Sequence, residues 1–122
     1  MLNDHHRQLA AQSIYDAERA RAVVPQISRT FPDVELDDAY DIQRRWAELH
    51  IAQGARVIGH KIGLTSRAMQ LASKIEEPDY GRLLSSMIFR DGQKIPARNF
   101  IRCCSAAQYQ PSFYIWRWWS LC

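Results

Sequence analysis

The chain has 122 residues, of which 47% are apolar and 24% charged, with a formal net charge of +3. That length suits one ordinary domain and the composition is globular, which excludes a disordered or low-complexity chain. No apolar run approaches the ~20 residues of a membrane span, and the opening Met1-Leu2-Asn3-Asp4-His5-His6 lacks a signal-peptide layout. The charge is modest and Lys and Arg are spread along the chain, so no nucleic-acid footprint emerges. The expectation is a cytoplasmic protein with neither a nucleic-acid nor a membrane partner.

The first predicted element is a helix over about residues 4–24. Ala10, Ile14, Ala17, Ala20 and Val24 recur at three- and four-residue steps, and Pro25 is expected to end it. A connector with a Phe31-Pro32-Asp33 turn follows. A second helix is capped by Asp37 or Asp38, carries Ala39, Ile42, Trp46 and Leu49 on one face, and closes at Gly54. Residues 55–66 read as a strand whose Gly59 and Gly63 signal a bulge or a close approach of backbone to a ligand. Ser66 is placed to cap a short helix holding Ala68, Met69 and Leu71. Residues 76–81 read as a loop, Met87-Ile88-Phe89 as a strand, Asp91-Gly92 as a hairpin turn and Ile95 as the start of the return strand.

The end of the chain differs in character. Cys103, Cys104 and Cys122, and three of the four tryptophans (Trp116, Trp118, Trp119), fall after residue 102, and residues 92–122 hold no carboxylate. A break near Ile101-Arg102 follows from this. The adjacent Cys103 and Cys104, with no second pair, do not make a zinc site, and a cytoplasmic setting keeps them reduced. The aromatic tail reads either as a base-stacking surface or as an exposed apolar stretch.

Few residues have the pattern of a chemical site. Lys61 sits between the two strand glycines beside Ile58, Ile62 and Leu64. A buried amine there would lose its charge more easily and could shuttle a proton; a solvated lysine beside a structural bulge is the other reading. Asp79, between Pro78 and Tyr80, could partner it as an acid–base group or simply bond its own turn. Thr65 and Ser66 could hold a carboxylate at a helix start or serve as caps. His60 alternates with Lys61 and therefore points to the opposite face, where a structural role is expected. The four histidines show no metal-ligand spacing.

These residues also resemble a known family. Gly59-His60-Lys61-Ile62-Gly63-Leu64-Thr65-Ser66, then Ala68-Met69-Gln70, then Glu77-Pro78-Asp79-Tyr80-Gly81 follow the motif order of the 2-oxo-hept-4-ene-1,7-dioate hydratases. Those enzymes group with 2-hydroxypentadienoate hydratases and 4-oxalocrotonate decarboxylases in the fumarylacetoacetate-hydrolase-like superfamily. Asp38-Ala39-Tyr40 and Gln43 match as well, and the likeness runs from about residue 4 to Ile101. It implies an α+β fold, with amino-terminal helices followed by the start of a mixed β roll. It further implies a lyase acting on a 2-oxo or 2-hydroxy-dienoate dicarboxylate of homoprotocatechuate (4-hydroxyphenylacetate) catabolism, homo-oligomeric in the intact family. Lys61 and Asp79 take the proton-moving positions, Thr65 and Ser66 the substrate-binding ones, and Mg2+ would polarise the substrate's 2-oxo acid group.

The resemblance stops abruptly. After Phe100-Ile101 the family carries a Pro-Arg segment and then two metal-binding glutamates one residue apart. This chain reads Arg102-Cys103-Cys104-Ser105-Ala106-Ala107-Gln108, so no metal ligand can be assigned. The expected organisation is residues 1–101 as the amino-terminal part of a hydratase domain and residues 102–122 as an aberrant aromatic and cysteine-rich tail. The expectation is a hydratase by family that is inactive as this fragment, with a non-catalytic fragment that associates with full-length subunits as the alternative.

Overall fold

The structure is a computed structural model that describes residues 1–99. The expected tail and the expected boundary near residue 101 lie outside the described residues. Two compact units divide the described residues: Met1–Trp46 with residues 92–99, and Ala47–Asp91.

The first unit is helical. Helix α1 spans Asp4–Ala20, and the Asn3 side chain caps it by accepting from the His6 N–H at 2.8 Å. It ends four residues earlier than the proline signal suggested. Arg21 turns left-handed (φ 55°), and the Ala22 N–H reaches back to the Ala17 carbonyl at 2.9 Å. That pairing closes the helix through backbone groups alone, before Pro25 can act. A single turn, α2 (Ile27–Thr30), interrupts the expected connector. Helix α3 spans Leu36–Ala52.

Leu2, Ala10, Ala11, Tyr15 and Ala17 are buried, with Ile42 and Trp46 of α3. The buried stripe of α1 is rotated from the expected one: Ile14 is half-buried and Ala20 exposed, while Ala11 and Tyr15 go inside. Tyr15 suits burial because its ring offers more apolar area than an isoleucine while its hydroxyl stays paired. That hydroxyl accepts from Arg19 Nη1 at 3.1 Å. The Trp46 indole N–H donates to Glu18 Oε2 at 3.1 Å.

Asp38 is the buried charge of this unit. It does not cap α3 in the expected way. Glu35 occupies the cap position, its carbonyl accepting from the Ala39 N–H at 3.1 Å, and Asp38 reaches back from the first turn to the Glu35 N–H at 3.0 Å. This is the return half of a capping box. Asp38 also accepts from the Leu2 N–H and from Arg7 Nε, each at 2.9 Å. Burial alone would raise its pKa; the hydrogen bonds from Glu35, Leu2 and Arg7 outweigh burial and hold it below the ordinary 3.8. Asp41 is lowered likewise against its own burial, by Arg45 Nε at 2.8 Å and Arg44 Nη2 at 2.6 Å. Arg45 reaches Asp4 of α1 as well.

The second unit begins with the last turn of α3. Gly54 takes φ +93°, and the Ala55 N–H bonds to the His50 carbonyl at 3.1 Å, as the glycine signal predicts. Strand β1 (Val57–Gly63) pairs antiparallel with β2 (Asp79–Leu84). The register runs Gly59↔Leu83, Lys61↔Gly81 and Gly63↔Asp79, with an irregularity between Val57 and Gly59. The expected bulge is there: Val57 and Gly59 face the neighbours Leu84 and Leu83, which leaves Ile58 as the extra residue. The Ser85 N–H continues the ladder to the Arg56 carbonyl at 2.8 Å. Helix α4 (Arg67–Ser73) lies between the strands in sequence, with Ser66 accepting from the Met69 N–H at 3.3 Å.

The α+β class stands, and the sheet among the described residues is two-stranded and antiparallel. The strand assignments after residue 76 need correcting. Asp79-Tyr80-Gly81, read as loop, opens β2, while Met87 ends a short 3-10 turn (Ser85–Met87) and neither Ile88-Phe89 nor Ile95 forms a strand. Met-Ile-Phe has the better local strand composition, yet pairing with β1 decides the outcome. Asp91-Gly92 is a turn, with Gly92 at φ +73°, but it is not the expected hairpin, since no strand flanks it among the described residues.

Candidate functional site

Strand geometry brings the two candidate proton carriers together. Residues opposite one another in an antiparallel ladder share a face, so Gly59, Lys61 and Gly63 stand with Leu83, Gly81 and Asp79. Lys61 and Asp79 are diagonal neighbours on that face, at a spacing of about 7–8 Å that long side chains span. Each faces a glycine across the ladder, Lys61 against Gly81 and Asp79 against Gly63. No opposing side chain therefore crowds either one. His60 and Ile62 lie on the other face and are exposed, so the predicted separation of His60 from Lys61 is present.

The two faces differ in burial. Gly63 is buried, and Gly59, Lys61, Gly81, Leu83 and Asp79 are half-buried, whereas Ile62 is 64% exposed and Tyr80 47%. Burial lowers the pKa of Lys61 below the ordinary 10.5, and the negative charge of Asp79 partly opposes that shift. Asp79 Oδ1 is buried without a hydrogen-bond partner among the described residues. An unmade bond on a buried carboxylate is costly and marks a place for a donor from a ligand or a water.

Thr65 and Ser66 lie just past the end of β1. Thr65 is exposed, and Ser66 carries out the capping that was its alternative reading. Between Gly63 and Thr65 the chain makes an unusual bend: Leu64 has φ +51°. A left-handed non-glycine residue costs roughly 1–2 kcal/mol. Gln70 Nε2 donates to the Leu64 carbonyl at 2.8 Å across this bend. Sequence reading placed Gln70 within a motif and gave it no task; a polar residue four positions after a cap serine was the available signal. Two shallow concavities lie apart from the pair. One of about 280 Å³ is lined by Leu9, Ile14, Pro25 and Phe31, and one of about 220 Å³ by Arg67, Gln70, Lys74 and Glu76.

With that geometry in view, the comparisons with known proteins are specific. A 2-oxo-hept-4-ene-1,7-dioate hydratase of Escherichia coli is 48% identical over 101 residues, which is 83% of this chain and 38% of the relative. A 2-keto-4-pentenoate hydratase of Paraburkholderia xenovorans (strain LB400) is 41% identical over 95 residues, or 78% of this chain and 35% of the relative. Among solved structures, 4-oxalocrotonate decarboxylase from Pseudomonas putida G7, complexed with magnesium and adipate, superposes with a TM-score of 0.66 at 30% identity. That match covers 70% of this chain and 33% of the decarboxylase. Over this shared stretch the chain is similar to hydratases and to a decarboxylase. It spans less than two-fifths of the length of these relatives. No protein-family model matches the chain.

The magnesium of the decarboxylase complex meets a poor donor set in this chain. No three His, Cys, Asp or Glu side chains converge among the described residues, and no carboxylate follows Asp91 in the sequence. One free oxygen on Asp79, beside an amine, does not form an oxygen cage for a hard cation. Magnesium does not fit the described residues. Among those residues, no helix is long and apolar enough to cross a membrane.

Proposed function

We propose that this chain carries the proton-transfer half of a hydratase site for a 2-oxo-heptenedioate or 2-hydroxy-dienoate of aromatic catabolism. The observation that supports it most is the pairing of Lys61 and Asp79 on the covered face of β1–β2, each opposite a glycine. A lysine amine with a lowered pKa carries more of the neutral form that accepts a proton. Asp79 offers a buried acceptor oxygen beside it. Together they would move protons during ketonisation of the dienol and conjugate addition of water. Thr65 and Ser66 are retained as candidate contacts for the substrate's carboxylate; Ser66 Oγ accepts from Met69 and keeps its own hydroxyl proton to donate. The similarity in sequence to the Escherichia coli relative favours the heptenedioate, with pentadienoate hydration or oxalocrotonate decarboxylation as alternatives.

The reading places the protein in the cytoplasm with a small dicarboxylate as its ligand, and expects no turnover by this chain alone. Chemical-shift titration with a 2-oxo dicarboxylate tests it. The Lys61 and Asp79 signals should move in the unsubstituted chain, and the effect should vanish in Lys61→Met. A ligand that perturbs only other regions, or nothing, would overturn the assignment. Calorimetry with added magnesium should give no metal-dependent heat; a metal-dependent signal would show that the donor set had been misread.

A further inference from the structure

We propose that Gln70 is a positioning residue for the Lys61–Asp79 pair: its side-chain amide holds Leu64 left-handed and so fixes where the chain leaves β1. The inference rests on the proton-transfer reading of that pair. Three non-glycine residues have positive φ among the described residues: Arg21, Leu64 and Lys74. Arg21 and Lys74 close helices, where backbone hydrogen bonds hold the left-handed residue. Leu64 closes no helix. It follows directly on Gly63, the buried residue paired with Asp79.

The means of holding it is visible. Ser66 caps α4 through the Met69 N–H, and the Gln70 N–H bonds to the Ser66 carbonyl at 3.1 Å. The backbone of Gln70 is therefore set by the helix start, and its amide returns six residues to the Leu64 carbonyl at 2.8 Å. Residues 64–70 form a closed loop anchored on the residue next to Gly63. Local strain held in place by its surroundings is characteristic of ligand sites, where it preorganises neighbouring groups. Releasing Leu64 would free the end of β1, loosen the Gly63–Asp79 pairing and admit water to the Lys61 side of the sheet.

The test uses the full chain by solution NMR, with Leu64 φ read from its amide–Hα coupling and Lys61 titrated through its side-chain signals. Gln70→Met removes the donor at similar length and adds no charge. The Leu64 coupling should change to that of a right-handed or extended residue. The Lys61 midpoint should rise toward 10.5, with helical circular dichroism retained. Adding Leu64→Gly, which accepts the left-handed conformation without help, should restore the Lys61 midpoint. If Gln70→Met unfolds α4, Gln70→Ala is read in the same way. An unchanged Leu64 coupling and Lys61 midpoint, or no recovery in the double variant, would overturn the proposal. An ordinary lysine midpoint in the unsubstituted chain would overturn the proton-transfer reading instead, while the Leu64 coupling would still decide the role of Gln70.

Discussion

The two units are stabilised in different ways. Within Met1–Trp46, seven apolar residues are buried and a charged network joins Asp4, Arg7, Asp38, Asp41, Arg44 and Arg45. Within Ala47–Asp91, Ala47 and Leu84 are the buried apolar residues among those described, whereas Ile58, Ile62, Met69, Leu71, Tyr80 and Ile88 are exposed. The unit with the larger core holds none of the candidate chemistry. The unit that carries Lys61 and Asp79 is ordered chiefly by a short ladder, a cap serine and two glycine-opposed positions. Here the candidate site is a feature of backbone pairing more than of core packing.

Substitutions can break this contrast. The largest expected effect is Trp46→Ala, which should destabilise the first unit by about 3–5 kcal/mol, since it removes a buried aromatic side chain. Urea unfolding followed by helical circular dichroism measures it. Leu84→Ala should cost about 2–5 kcal/mol, because Leu84 is the large fully buried apolar side chain of the second unit. Loss of the β-strand amide protection with α1 retained would confirm that the effect is local.

Asp38→Asn tests the charged network through pH. The folded-state pKa of Asp38 is depressed, so its stabilisation is complete above the unfolded value near 3.8 and fades as pH falls through the folded value. Unfolding curves of the two chains should therefore be well separated at pH 6 and converge in strong acid. A separation that persists unchanged into acid would contradict a charge-based role.

Lys61→Met acts with the opposite sign. Burial lowers the lysine's pKa, so the folded state bears a cost for the charged amine below that value. The variant should be slightly more stable at neutral pH, and the advantage should shrink as pH rises toward 10.5. Thermal melts at pH 7 and pH 10 compare the two. Smallest of all is Ile62→Thr, expected within about 0.5 kcal/mol of the unsubstituted chain because the side chain is exposed and the replacement is also β-branched. A larger loss would mean that this face is covered in solution.

Much of this protein was legible residue by residue. The helices α1 and α3 follow from apolar periodicity, Gly54 closes α3 and Ser66 caps α4, because each depends on neighbours within a turn or two. Alternation along β1 separates His60 from Lys61 for the same reason, and the paired glycines announce the bulge at Ile58. Pro25 misled because backbone closure at Arg21 ends α1 first. The motif order around Lys61 and Asp79 pointed to the resemblance to hydratases, and relatives of that name match the chain.

Tertiary structure decided what depends on partners distant in the chain. β2 forms at Asp79–Leu84 rather than at Met87-Ile88-Phe89 because β1 selects its partner by ladder register, which local composition does not encode. The same register places Asp79 opposite Gly63 and diagonal to Lys61, making two residues eighteen positions apart neighbours on one face. Asp38 is buried because the Leu2 and Glu35 N–H groups and the Arg7 guanidinium converge on it from different segments. Sequence alone determined α1, α3, β1 and α4 and pointed to the candidate residues they carry. Long-range pairing decided which side chains meet, since burial and hydrogen-bond partners are properties of the assembled fold.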